Sequence, residues 1–215
     1  MAAVTTDSFT RCWKNAWSSR LLAALLVLCA LGLGAAPARA AASVELAELQ
    51  VERADDGLYL SARLRFTLPA VVEDALYKGI AIHFVADTEV VRERWYWSDR
   101  QMASAQRYMR VAYQPLTRRW RLNTSSEPIV SSGMGVALTQ YYETLNEALA
   151  AIQRISHWRI ASSAELEPGG RQTVRFSFRL DASQLPRTFQ IGAIGDSDWA
   201  LAIERRVDLT QESGQ

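Results

Sequence analysis

Hydrophobic and polar residues alternate with a period of two along most of the chain. In residues 58–68 every even position is apolar, whereas the odd positions carry Tyr, Ser, Arg and Thr. Successive side chains of a β-strand point to opposite faces of its sheet, so this alternation predicts a strand with one buried face. Because Asp55-Asp56-Gly57 is a turn-forming sequence, we predict a hairpin between residues 44–53 and 58–68.

Further strands are predicted from the same alternation and from the turn residues between apolar segments. They cover residues 80–97, 105–113, 118–124, 158–166 and 174–180, and a final strand from Trp199 to about Leu209. The sequence Pro168-Gly169-Gly170 is typical of a turn, and we expect it to join residues 158–166 to residues 174–180.

Two helices interrupt the strands. Pro69 suits the start of a helix and Gly79 its end, so residues 69–78 are predicted as a short helix. A second helix is predicted at residues 135–154, where apolar residues recur at helical spacing. Its stripe consists of Leu138, Tyr141, Tyr142, Leu145, Ala148, Leu149 and Ile152. Together these elements predict a mainly β (α+β) fold, an antiparallel β-sheet or sandwich of about eight strands with two helices.

The N-terminal segment predicts export. It contains a positive region, an apolar run and a small-residue cleavage motif, namely Arg11, Lys14 and Arg20, residues 21–36, and Ala38-Arg39-Ala40. We predict a signal peptide at residues 1–40, cleaved near Ala40, and a single β-rich periplasmic domain at 41–215 with an ordered core at about 44–209. The alternative is an uncleaved inner-membrane anchor, although the apolar run is shorter than the roughly 20 residues of a spanning helix.

Composition excludes several classes of function. Both cysteines, Cys12 and Cys29, lie in the predicted signal peptide, so the domain has no thiol for a disulfide, a metal site or nucleophilic catalysis. Removing four basic residues and one acidic residue with that segment leaves 20 basic and 22 acidic residues, which argues against nucleic acid as a partner. His83 and His157 are the only histidines and belong to no spaced metal-ligand motif, so no metal and no cofactor is predicted.

Basic and aromatic residues are concentrated in residues 92–121, where eight arginines stand against Glu93 and Asp99. If the strands there are neighbours, their arginines would line one face with aromatic rings stacked beside them. The candidate surface for an anionic partner consists of Arg92, Arg94, Tyr96, Arg110, Arg119 and Arg121. Such a surface would bind an anionic lipid head group, an envelope glycan or an acidic protein face. The alternative is a solvated face whose arginine stems cover apolar surface without binding anything.

Several motifs resemble a known family. They are Arg94-Trp-Tyr-Trp97, Tyr113-Gln-Pro-Leu-Thr-Arg-Arg-Trp-Arg-Leu122, Ser183-Gln-Leu-Pro186 and Ser197-Asp-Trp199, with Gly79 and His83-Phe84. On these residues the chain resembles, over roughly 44–209, a proteobacterial family of exported proteins, number 4390 among the domains of unknown function. The resemblance implies a signal peptide, one mostly β domain and no established activity. Genes of that family often lie beside a membrane sensor kinase, so the resemblance also implies an envelope-signalling context.

The sequence contains no complete catalytic motif. Residues 195–199, Gly-Asp-Ser-Asp-Trp, resemble a nucleophile elbow, but Trp199 stands where the closing glycine belongs, so we predict a turn. The leading hypothesis is an exported, non-enzymatic binding or interaction module, accessory to envelope signalling with a partner such as a sensor kinase. The alternative is an envelope hydrolase in which Asp196, Ser197, Asp198 or His157 converge only in the fold.

Overall fold

The computed structural model describes residues 44–93, 99–129, 137–166, 171–186, 199 and 201–209. The described strands are β1 (Glu45–Ala54), β2 (Gly57–Arg65), β3 (Ile82–Arg92), β4 (Arg100–Gln114), β5 (Arg119–Ser125), β6 (Leu138–Tyr142), β7 (Arg154–Ser162), β8 (Gln172–Leu180) and β9 (Ala202–Asp208). Two α-helices, α1 (Ala70–Tyr77) and α2 (Leu145–Ile152), accompany them. All these elements belong to the unit Ala41–Gln215. The predicted signal peptide lies outside the described residues.

The strands form two sheets in which every pair of neighbours is antiparallel. A three-stranded sheet has the order β1-β2-β7, and a six-stranded sheet has the order β6-β5-β4-β3-β8-β9. The predicted mainly β, antiparallel fold with two helices is therefore confirmed. Within the described residues there are nine strands, where about eight were predicted.

The β1–β2 hairpin forms where the alternation predicted it. The apolar residues at even positions from Leu58 to Leu68 are all buried, so the apolar face of β2 lies in the core. At the start of β2 the backbone passes so close to β7 that a Cβ on Gly57 would lie 2.2 Å from the carbonyl oxygen of Ala161. The hairpin therefore requires glycine at this position.

Both sheets contribute to one hydrophobic core. Phe66, just after β2, packs on Phe178 of β8 and Phe84 of β3, with ring centroids 5.6 Å and 5.8 Å apart. Phe84 and Phe178 also stack on each other at 5.8 Å. Because rings from both sheets meet in the core, the inner faces of the sheets pack against each other as a sandwich.

The helix α1 confirms the prediction for residues 69–78 to within one residue at each end. Pro69 is its N-cap, and Gly79 follows the last turn with a φ of +83°, in the left-handed region that favours glycine. Tyr77 packs edge-on against Trp120 of β5, with ring centroids 5.4 Å apart. This contact joins the last turn of α1 to the six-stranded sheet.

The predicted helix at residues 135–154 is wrong at its start. Leu138–Tyr142 forms the edge strand β6, whose backbone pairs with β5. The helix begins after Thr144, whose side chain accepts from the backbone N–H of Glu147, while the Glu147 carboxylate accepts from the backbone N–H of Thr144. This capping box fixes a later start than apolar spacing alone predicted. The second part of the predicted stripe is confirmed, since α2 buries Leu145, Ala148, Leu149 and Ile152.

The two strands that residues 163–171 connect, β7 and β8, lie in different sheets. β7 pairs with β2 in the three-stranded sheet, whereas β8 lies between β3 and β9 in the six-stranded sheet. A turn sequence between two strands shows where the chain reverses but not which strands become neighbours. Residues 167–170, which carry that turn sequence, lie outside the described residues.

Candidate functional site

The strands that carry the arginine-rich segment are neighbours, since β3, β4 and β5 lie side by side in the six-stranded sheet. The inner face of this sheet carries Phe84 and the other core residues. We call the opposite face the outer face. On it, Arg110 of β4 pairs with His83 of β3 on one side and with Asn123 of β5 on the other. Directly paired residues share a face, so these three side chains form one row across the sheet.

Arg121 lies beside this row on the same face. It pairs with Ala112, two positions beyond Arg110, so Arg110 and Arg121 are diagonal neighbours on adjacent strands. We call His83, Arg110, Arg121 and Asn123 the outer basic cluster. Arg119 occupies the next outward position of β5 and is exposed. Three of the six predicted surface residues, Arg110, Arg119 and Arg121, therefore lie on one face.

The outer basic cluster concentrates positive charge. Burial, and then the neighbouring charge of Arg121, lower the pKa of Arg110. Burial, and then the charge of Arg110, lower the pKa of His83 to about 4, while the charge of Asp181 acts in the opposite direction. Among the described residues, neither Arg110 nor Arg121 forms an ion pair with a carboxylate.

Another arginine on the outer face provides an internal comparison. Arg175 of β8 lies 2.8 Å from the carboxylate of Glu89 and 3.6 Å from that of Glu204. Glu204 also approaches Arg206 at 4.0 Å. The β8–β9 side of the face thus surrounds its arginines with acids, whereas the described surroundings of Arg110 and Arg121 offer none at this range.

Three side-chain atoms of the outer basic cluster are buried and lack a hydrogen-bond partner in the part of the chain that the structure describes. They are His83 Nδ1, Arg121 Nε and Asn123 Oδ1. The Asn123 amide nitrogen is satisfied, because it donates to Thr139 Oγ1 at 2.8 Å. Arg121 Nε can only donate and Asn123 Oδ1 can only accept. A group that satisfies both therefore needs an acceptor atom and an O–H or N–H donor.

Arg92 does not join the outer basic cluster. It is nine positions from His83 on β3, so alternation places it on the inner face and about 30 Å away along the strand. The expected common face therefore excludes Arg92. Arg94 and Tyr96, the remaining predicted surface residues, lie outside the described residues.

Two aromatic rings of the segment, Tyr113 and Trp120, are placed differently from the expectation, whereas Tyr108 shares the outer face of β4 with Arg110. Trp120 is buried, and its ring packs on Tyr113 at 4.9 Å and on Tyr77 of α1. The ring that does stack on an arginine belongs to Trp158 of β7, which lies 4.9 Å from the guanidinium carbon of Arg107. These rings therefore support the core and the inner face rather than flanking the outer basic cluster.

The residues considered for a hydrolase give no described site. Asp196, Ser197 and Asp198 lie outside the described residues. His157 stacks on Tyr59 with ring centroids 4.0 Å apart, and its backbone N–H donates to Ser61 Oγ at 3.1 Å. Its φ of +45° coincides with an irregular register between β7 and β2. The conformation of His157 is therefore explained by its packing at the point where the register between β7 and β2 is irregular.

Within the described ranges, no group of three or more histidine, cysteine, aspartate or glutamate side chains has the arrangement of a metal site. A search of the same ranges finds no helix with the length and apolar character to cross a membrane.

Two members of the outer basic cluster were not predicted as site residues. A signal for His83 was present, because it stands between the apolar residues Ile82 and Phe84 of an alternating strand and so points away from the core. Asn123 follows Arg121 by two positions and shares its face for the same reason. What the sequence did not supply was the register that brings both beside Arg110.

The structure thus defines a mainly β domain of two antiparallel sheets with a half-buried basic cluster on its outer face. A family model described as a domain of unknown function, DUF4390, matches residues 41–208. The chain belongs to this family, which confirms the family predicted from the motifs. Comparison with curated proteins found no match, and comparison with solved structures found none either.

Proposed function

We propose that this chain is an exported, periplasmic, non-enzymatic binding module whose outer basic cluster holds an anionic group of an envelope partner. The observation that carries the proposal is the adjacency of Arg110 and Arg121, with no carboxylate in ion-pair range among the described residues and with buried polar atoms beside them. Two like charges on neighbouring strands repel each other, and a buried donor without a partner adds to that cost. An anionic ligand would offset both.

The chemistry of the unpartnered atoms favours one class of group. Guanidinium groups bind phosphate and carboxylate oxygens through charge-assisted hydrogen bonds. The free acceptor Asn123 Oδ1 favours a neighbouring O–H or N–H donor on the ligand, such as a hydroxyl. Anionic groups flanked by hydroxyls occur on lipid head groups and acidic glycans, so these are the preferred partners. An acidic face of an inner-membrane protein such as a sensor kinase is the competing partner, and it would supply carboxylates to the same arginines.

Site-specific photo-crosslinking in cells tests this proposal. Tyr141 of β6 pairs with Arg121 and is 54% exposed, so a benzoylphenylalanine at position 141 would lie beside the outer basic cluster. Tyr77 has the same residue type and the same exposure but packs against Trp120 on the inner side, which makes position 77 the matched control. Mass spectrometry of the adducts distinguishes lipid, glycan and protein.

We expect an adduct from position 141 that is absent from position 77 and that disappears in the double variant Arg110→Gln/Arg121→Gln. The double variant Arg63→Gln/Arg65→Gln, on exposed positions of the other sheet, should leave the adduct unchanged. Equal adducts from both positions, or an adduct that persists without Arg110 and Arg121, would contradict the proposal. A sensor-kinase adduct that depends on both arginines would retain the site and replace the preferred partner.

A further inference from the structure

A recess lies on the inner side of the six-stranded sheet, opposite the face that carries the outer basic cluster. It has a volume of about 530 Å³ and is lined mainly by inner-face residues of β4, β5 and β6 together with residues of α2 and β7, while Gln106, Ser125 and Ser126 lie at its edge. We call it the inner cleft; the residues that matter for its chemistry are Arg107, Met109, Leu122, Leu138, Arg154 and Trp158. Its volume falls in the range of about 300–1,000 Å³ that is usual for small-molecule sites.

The inner cleft combines an apolar wall with positive charge. Met109 and Leu122 are buried core residues, and Trp158 is only 8% exposed. Arg107 stands among them on the inner face, pairing with the buried Ala86. Its guanidinium carbon lies 4.9 Å from the centroid of the Trp158 ring, and its burial lowers its pKa.

The described lining of the inner cleft contains a second arginine, Arg154, and no aspartate or glutamate. A guanidinium held in such surroundings is stabilised in part by the Trp158 ring, and its N–H groups can donate to the oxygens of an anion that enters the cleft. Leu138, at 64% exposure, extends the apolar lining to solvent. The cleft therefore offers an apolar wall, an anion-binding group and an opening to solvent.

We propose that the inner cleft binds a single-chain amphiphile with an anionic head, the chain lying against Met109, Leu122 and Trp158 and the head binding Arg107. Apolar surface removed from water supplies affinity, and the arginine supplies selectivity for the negative head. This site is separate from the outer basic cluster, because Arg107 and Arg110 lie three positions apart on β4 and so point to opposite faces. It therefore stands whether or not the proposed function is correct.

Calorimetric titration of the purified full-length protein tests the site with three probes of equal chain length below their micellar concentrations. Dodecanoate carries a carboxylate, dodecyl phosphate carries a phosphate, and dodecyltrimethylammonium carries a positive head. We expect saturable binding of at least one anionic probe, at least about tenfold tighter than that of the cationic probe, because a hydrogen bond to a charged group is worth about that factor. Comparison of the two anionic probes distinguishes a fatty-acid head from a phosphate head.

Variants locate the site. Arg107→Gln should weaken binding of the anionic probe by about tenfold and should not weaken binding of the cationic probe. Leu138 is exposed, so the fold should tolerate charged substitutions there, and two substitutions of opposite charge make a matched pair. Leu138→Asp should weaken the anionic probe, whereas Leu138→Lys should retain or strengthen it. Arg119→Gln, on the outer face, should have no effect.

All variants keep the same N-terminal segment. Any binding of the probes to that apolar segment is therefore the same in each protein and does not affect the comparison of their affinities. Equal affinity for anionic and cationic probes would overturn the proposal. So would an unchanged anionic affinity in Arg107→Gln together with equal affinities in Leu138→Asp and Leu138→Lys. Absence of binding by all three probes would overturn it as well.

Discussion

Arg110 and Arg121 are diagonal neighbours on the outer face, and neither forms an ion pair with a carboxylate among the described residues. Burial, and then the charge of Arg121, lower the pKa of Arg110, and Arg121 Nε is buried without a partner among the described residues. A pair that costs stability is typical of a site kept for binding.

We therefore expect Arg121→Gln to raise the free energy of unfolding at low ionic strength by about 0.5 kcal/mol, the scale of like-charge cross-strand pairs. Added salt should reduce the gain, since ions screen the repulsion. Urea unfolding at two salt concentrations measures both effects. Arg65→Gln, on an exposed position facing Glu45, is the control and should show no gain. A loss of stability in Arg121→Gln that salt does not change would refute this interpretation.

His83 reports on the same charges. Burial and Arg110 lower its pKa to about 4 in the folded protein, whereas an unfolded histidine has a pKa of about 6.5. We expect a proton NMR titration to find the His83 imidazole still neutral at pH 5. His157, which lies exposed on the other sheet, is assigned by comparison with His157→Gln. A His83 pKa near 6.5 would show that the imidazole is neither desolvated nor close to a positive charge.

The same shift predicts how stability depends on pH. Because the folded pKa of His83 is lower than the unfolded pKa, the unfolded chain takes up the proton first as the pH falls. The contribution of neutral His83 is therefore complete above pH 6.5 and is lost as the pH falls from about 6.5 towards 4. Chemical unfolding at pH 7 and pH 4.5 should show a smaller loss of stability for His83→Gln than for the wild type. An equal loss in both proteins would contradict the assignment.

Among the elements, α2 shows how a local signal overrides a periodic one. Thr144→Ala removes the side-chain acceptor of the capping box, so we expect a loss of about 1 kcal/mol in the free energy of unfolding. Thr67→Ala, at an exposed position before α1, is the matched control and should change stability little. If the two variants lose the same amount in urea unfolding, the cap is not what defines the start of α2.

Gly57 and Gly79 are required for different reasons, the first for the pairing of β2 with β7 and the second for the end of α1. A methyl group on Gly57 would collide with the Ala161 backbone, whereas the space around Gly79 is open and only its φ of +83° opposes a side chain. We expect Gly57→Ala to cost about 1–3 kcal/mol, as overpacking does, and Gly79→Ala about 1 kcal/mol. Thermal unfolding of both variants gives the order. A larger loss of stability in Gly79→Ala than in Gly57→Ala would show that the backbone of β7 shifts easily to make room for the methyl group.

The sequence predicted β2 and β8 well because strict alternation of apolar and polar residues usually has a single cause, namely a strand with one buried face. It failed at residues 138–142, where apolar spacing fitted a helix although Leu138 and Tyr141 are mostly exposed. Those residues pair with β5, and such long-range pairing leaves no mark within the segment itself. For the same reason Arg110 and Arg121 were identified as candidates, whereas their proximity to His83 and Asn123 became visible only through strand register.

At the scale of the whole molecule, the six-stranded sheet presents two different faces from the same strands. Its outer face carries acid-paired arginines on β8–β9 and the outer basic cluster on β3–β5. Its inner face forms the core and, at the end near β6 and α2, the inner cleft. The charge of the domain is therefore unevenly distributed, and charge distribution rather than total charge decides where an anion is attracted.

The most direct test of the central claim is a side-chain NMR titration of the arginine Nε–Hε groups with inorganic phosphate at constant ionic strength. If the outer basic cluster binds anions, the Nε–Hε signals of Arg110 and Arg121 will show saturable chemical-shift changes. The signals of Arg63 and Arg65 on the other sheet will show no comparable changes. Sodium chloride at matched ionic strength should not reproduce the change. If all exposed arginines shift in parallel, or if Arg110 and Arg121 do not respond, the outer basic cluster is not an anion-binding site.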